Sequence, residues 1–453
     1  MTPLAHGIGG VRDLPVPQSF FFTAAATALV ISFVLLGALW REPLLASRAR
    51  GRALPPALGA VLLSRPLRLL CQGLAVGLLA LTLATATAGT TTELLNFAPT
   101  FVYVVFWLGL PLLSVLLGDV WRVLSPWRAL ADAAVWALER GGREARPLLP
   151  WTGRLGRYPA AASLFAFVAL ELASPRPAAP RTLAVAIVLY TYWALAGMAV
   201  FGREAWTRNG EGFAVAFGLL ARIAPVAVRD GAVVVSWPFA RLAGAERVPG
   251  TLAFVAVLLG STSFDGFSRT SSWQNLVSGL RADLAGSSPR LLDLATTAVN
   301  VAGLAAFVAL VALTYAACVS GARLLVAAPR RLLGDFVLPL VPIAFAYLVA
   351  HYFSLFVIQG QFAIPLASDP FGRGWDLFGT AGVSPDLALV SPETVWYVQV
   401  VSLVAGHVAG LALAHDRAVS LFAERADALR SQYPVLALMI LYTVGGLWLL
   451  SRG

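Results

Sequence analysis

The chain alternates long apolar runs with short polar stretches that carry arginine. A hydrocarbon core about 30 Å thick needs about 20 apolar residues per helix. Ten runs bounded by Arg, Pro or Gly meet that need, at roughly 17–40, 69–90, 100–121, 159–174, 182–202, 249–264, 295–321, 336–358, 395–414 and 433–451. They predict an all-α integral membrane protein, a single polytopic domain over residues 1–453. The first run follows a single Arg and precedes no small-residue cleavage site, so it reads as a retained span and not a secretory signal.

The loops then set the orientation. With the N-terminus outside, the inner connections are 41–68, 122–158, 203–248, 322–335 and 415–432, carrying 6, 7, 6, 3 and 3 Arg, which is 25 of the 33 basic residues. Basic residues concentrate on the cytoplasmic side, so the pattern predicts N-out and C-out ends in the cell membrane. The outer loop 359–394 carries the opposite charge, with Asp369, Asp376, Asp386 and Glu393 against Arg373.

Two inner loops, 122–158 and 203–248, have patterns of their own. In SPWRALADAAVWALER, from Ser125, the spacing of Trp127, Leu130, Ala134 and Leu138 predicts an amphipathic helix in the interface. The run EGFAVAFGLLARIAPVAV, from Glu211, fits either an interfacial or a re-entrant helix. In VAVRDGAVVVSWP, Asp230 and Gly231 sit between β-branched runs and predict a hairpin over 226–236, since Gly accepts the positive φ of a two-residue turn. Small-residue spacings at Gly73 and Gly77, and at Gly406 and Gly410, predict close helix packing.

Composition narrows the partners. Only 12% of residues are charged, against roughly 25% in soluble proteins, and the mean hydropathy is +0.78. The net charge of +10 suits an anionic membrane surface. A nucleic-acid partner is excluded, because the arginines lie in short loops and form no solvated basic face. The two cysteines, Cys71 and Cys318, sit in separate apolar runs and make no disulfide or zinc signature. There is no phosphate loop, GxSxG or HExxH.

The candidate chemistry lies in polar residues within the apolar runs. His351 sits about 10 Å and His407 about 18 Å from the outer end of their spans at 1.5 Å per residue. His6 lies in the outer tail and His415 at the inner face, so the four histidines step across the bilayer. Three readings stand: neutral rings bonded to neighbouring helices, a proton or metal-ion pathway, and a fixed metal or haem site, with His351 and His407 the candidate ligands of a divalent metal ion. A second cluster maps to the outer side: Asp265, Arg269 and Trp273 at the end of the sixth run, Asn300 in the seventh, and Gln359 and Gln361 after the eighth. Together they predict an outward-facing chamber in which Asp265, Arg269 and His351 are the catalytic candidates, with Asn300, Gln359, Gln361 and Trp273 lining it. Its ligand would be a lipophilic small molecule or an ion. Glu171, near Arg176 and Arg181, is the isolated acid of the fourth run.

Four segments, HGIGGVRDLPVP, LGDVWRVLSPWRALAD, STSFDGFSRTSSW and GHVAGLALAHDRA, together resemble a group of actinobacterial multi-pass membrane proteins catalogued as fenitrothion hydrolase. The resemblance implies hydrolysis of an organophosphorus triester at the membrane. Phosphotriesterases with paired metals need several His and Asp ligands at one centre, and four scattered histidines do not build one. A hydrolase here would use one metal ion or one acid–base pair. The alternative is a transporter or a proton or metal-ion relay.

Overall fold

The computed structural model describes residues 17–327 and 332–450. His6 lies outside them. Among the described residues, nine helices are long and apolar enough to cross a membrane, and a tenth, Tyr158–Ala173, is shorter. The spans are α1 (Gln18–Leu39), α2 (Arg65–Ala88) and α3 (Phe97–Leu117), and an amphipathic α4 (Pro126–Arg140) follows. Next come α5 (Tyr158–Ala173), α6 (Pro180–Phe201), a short α7 (Gly212–Leu220), α8 (Thr251–Ser268) and α9 (Ser271–Asp283). The last four are α10 (Pro289–Gly321), α11 (Leu340–Gln359), α12 (Pro392–Leu421) and α13 (Tyr433–Leu450). This is an all-α multi-pass membrane protein.

Local chemistry fixes the helix starts. α4, α10 and α12 each begin with Ser-Pro: Ser125, Ser288 and Ser391 accept from the backbone N–H three residues on, while Pro takes the first helical position. α3 departs from α-geometry between Pro99 and Pro111, widening to a π-helix over Phe101–Gly109. Pro111 has no N–H to return to the preceding turn, and such a break lets the hydrogen-bond register slip.

α8 and α11 are the most deeply buried spans. α11 packs closely on α12 because two glycines leave room for it. A Cβ on Gly406 would sit 2.2 Å from Ala346 Cβ, and one on Gly410 would sit 2.7 Å from the Pro339 carbonyl oxygen. The other small-residue pair behaves differently. Gly73 and Gly77 face open space, so that spacing packs no helix among the described residues.

α7 resolves the ambiguous stretch after Glu211. Its Phe213, Val215, Phe217, Leu219 and Leu220 are all buried, and Phe213 meets Phe106, Phe167 and Tyr190 with ring centroids 4.7, 5.0 and 4.7 Å away. Nine residues rise only about 13 Å, so α7 is a short helix packed inside the bundle, too short to cross a membrane. Glu211 caps it, accepting from Phe213 N (2.9 Å) and Ala214 N (2.8 Å), and burial pushes its carboxyl above the usual carboxylate range.

α4 keeps Trp136 and Leu138 exposed, as an interfacial helix does. Its Asp132 pairs with Arg203 at 2.5 Å. The hairpin forms from β2 (Val226–Arg229) and β3 (Ala232–Val235). Its turn has φ 49° at Asp230 and 76° at Gly231, the two positive values a type I′ turn needs. A third strand, β1 (Arg52–Ala53), adds to β3, giving the order β1-β3-β2.

Candidate functional site

In α8 the residues Phe254, Val257, Ser261 and Asp265 recur at helical spacing and are all buried, so the stripe that packs the core also carries a carboxylate into it. Asp265 is 5% exposed, a costly position unless its lone pairs are filled. They are filled from two helices. Oδ1 accepts from Arg269, one turn on, at 2.8 Å. Oδ2 lies 2.6 Å from His351 Nε2 and accepts from the Tyr352 hydroxyl at 3.1 Å, both on α11. The rings of His351 and Tyr352 stand nearly perpendicular, 4.6 Å apart. With Asp265 ionised and accepting, Nε2 carries the imidazole proton in this arrangement.

Glu171 of α5 completes the cluster. It lines a cavity of about 20 Å³ with Trp107, Leu220, Ser261, Thr262 and Tyr352, a space that holds about one water. Tyr352 borders the same cavity and donates to Asp265, so it links Glu171 to the Asp265 cluster. Charges this deep need partners, because an uncompensated charge is strongly unfavourable away from water. Arg269 Nε is buried without a hydrogen-bond partner, which leaves one donor of the guanidinium uncommitted.

The other expected site residues lie elsewhere in the hydrogen-bond network. Asn300 Oδ1 accepts from Trp273 Nε1 at 3.0 Å, joining α9 to α10, and Trp273 packs on Phe264. Gln361 ties the outer loop, donating to the Asp386 carbonyl (3.0 Å) and accepting from Asp386 N (2.9 Å). Gln359 is half-buried at the end of α11. The chamber predicted from sequence thus contracts to Asp265, Arg269 and His351, with Tyr352 and Glu171 added.

The other histidines bond locally. His407 is fully buried, its Nδ1 lies 2.8 Å from the Leu403 carbonyl of its own helix, and its Nε2 has no partner. His415 bridges the inner ends of three helices, with Nδ1 3.2 Å from Gln432 Oε1 and Nε2 3.0 Å from the Trp40 carbonyl. Among the described residues no three His, Cys, Asp or Glu converge as a metal set. His351 has one such neighbour, Asp265, and His407 turns to the Leu403 carbonyl, so neither belongs to a set of three there.

Two inner clusters were not anticipated. Asp335, 4% exposed, takes Arg417 Nε at 3.2 Å on Oδ1 and pairs with Arg247. Asp416 accepts from Trp40 Nε1 (3.2 Å), Leu44 N (2.6 Å) and Leu45 N (3.1 Å), fastening the inner end of α1. The signal for both was an acid beside an apolar run.

No protein-family model matches the chain, and no curated protein or solved structure matches it significantly.

Proposed function

We propose that this membrane protein is a proton relay or proton-coupled transporter, with Asp265, His351 and Glu171 as its exchange site. The observation that carries this reading is a buried set of ionisable side chains, Asp265 held by Arg269 and His351, with Glu171 on the wall of a neighbouring cavity that has room for a single water. Imidazole changes charge near neutral pH more readily than any other side chain, and a group held among carboxylates within a membrane is a natural way station for a proton. Asp265 orients the ring through one oxygen and is held by Arg269 through the other. Glu171 and His351 are then the two groups between which the proton passes, Glu171 bordering the small cavity beside Tyr352 and His351 bonded to Asp265.

One contact favours a second reading. A carboxylate that fixes an imidazole is also the pairing used for general-base catalysis, which would suit the triester hydrolysis that the sequence resemblance implies. The free donor on Arg269 would face a phosphoryl oxygen in that case. The cavity bordering Tyr352 is far smaller than a triester, so the substrate would have to reach His351 from the outer side.

One experiment separates the two. Purified protein is reconstituted into vesicles with a trapped pH indicator, and a potassium diffusion potential is imposed. Potential-driven proton flux that falls at least tenfold in His351→Gln is the expected result. Absence of flux from the wild-type protein, together with phenol release from a phosphotriester that His351→Gln abolishes, would replace the relay with the enzyme.

A further inference from the structure

A second feature lies away from this cluster, between α1 and α12. These helices leave a groove of about 940 Å³, within the range of ligand-binding pockets. Its walls are low because the facing side chains are small, with Ala24 and Ala28 on α1 and Ala405 and Ala409 on α12. From Val400 to Leu413 it runs about 20 Å along α12 at the helical rise, more than half the hydrocarbon thickness. At the outer end Phe21 meets Trp396 edge to face, with centroids 5.4 Å apart, and closes it. At the inner end it meets Trp40, Leu45 and Trp237, and the 3₁₀ turn Ala46–Arg50 follows Leu45 in the chain.

That inner end is basic. Arg41, Arg48 and Arg50 are exposed there, and the Arg48 guanidinium lies 4.1 Å over the Trp237 ring. Tryptophan at this level marks the headgroup region. From these observations we infer that the groove binds one anionic phospholipid of the inner leaflet, an acyl chain lying along the alanines and the phosphate facing Arg48. The apolar length fits the chain, the closed outer end fixes which leaflet supplies it, and the arginines select the charge of its headgroup.

Native mass spectrometry of the detergent-purified protein tests this after incubation with equal amounts of phosphatidylglycerol and phosphatidylcholine. The expected result is one retained phosphatidylglycerol per chain, favoured over phosphatidylcholine. Arg48→Gln, a change at an exposed position, reduces that preference about fivefold, the effect of one basic residue near an anionic surface. Ala28→Phe together with Ala409→Phe fills the groove and removes the retained lipid while the thermal transition remains cooperative. If the filled variant does not fold, the Arg48→Gln comparison still decides the matter. Equal retention of the two lipids, no change of preference in Arg48→Gln, or a neutral lipophile retained in place of lipid would overturn the proposal.

Discussion

His351 Nε2 lies 2.6 Å from Asp265 Oδ2, although 86 residues separate the two in the chain. The contact joins the two most buried spans at a single carboxylate that also holds Arg269 and Tyr352. Asp265→Asn leaves Arg269 and His351 without their ionic partner and is expected to cost about 3–5 kcal/mol, the usual range for breaking a buried pair. A double-mutant cycle with His351→Gln should give a coupling of about 0.5–3 kcal/mol. Denaturant unfolding in detergent measures both, and additive losses would mean that the contact carries no energy.

Glu171→Gln should behave in the opposite way. It removes one carboxylate and leaves Asp265 balanced by Arg269, so stability should hold or rise while proton flux falls at least tenfold. A variant that loses flux and stability together would make Glu171 a packing residue.

Tyr352→Phe deletes one of the three donors to Asp265 and should cost about 0.5–1.5 kcal/mol. Flux should stay within about twofold, because the hydroxyl supports the carboxylate and carries no proton in the relay. A tenfold fall in flux would move Tyr352 into the pathway.

The two glycine pairs predict contrasting outcomes. Gly406→Ala drives a methyl against Ala346 and should cost about 1–3 kcal/mol by overpacking. Gly73→Ala meets open space and should stabilise α2 by up to about 1 kcal/mol through helix propensity. Thermal transitions of the two single variants, with wild type as reference, settle the comparison.

The arginine distribution predicts that reporters fused after residues 150, 235 and 425 lie in the cytoplasm and one near residue 375 lies outside. A cytoplasmic signal near residue 375 would reverse the sidedness of the site.

The spans were legible because hydropathy over 20 residues is a property of sequence alone, and the hairpin because Asp230-Gly231 dictates its own turn. Strand β1 was not, since two residues, Arg52 and Ala53, carry no period. At the site, the spacing of Asp265 and Arg269 announced their i, i+4 pairing, and the ring in an apolar run marked His351. Tyr352 gave no signal, because an aromatic residue in a span reads as packing until its hydroxyl is seen against Asp265. Glu171 was conspicuous, but its place beside Tyr352 on the wall of a small cavity is what spacing along its own helix does not reveal. The bond between Asn300 and Trp273 is what sequence spacing across two helices does not reveal.

The contact of Gly406 and Gly410 with the backbone of α11 also constrains motion. Where main chains touch, side-chain rearrangement offers no slack, so α11 and α12 form one mechanical body that carries His351 with it. Any opening of the cluster toward either side of the membrane must then come from α5 or α8 swinging against that body, and spin labels on α11 and α12 should keep a constant separation while the distance from α5 to α11 changes.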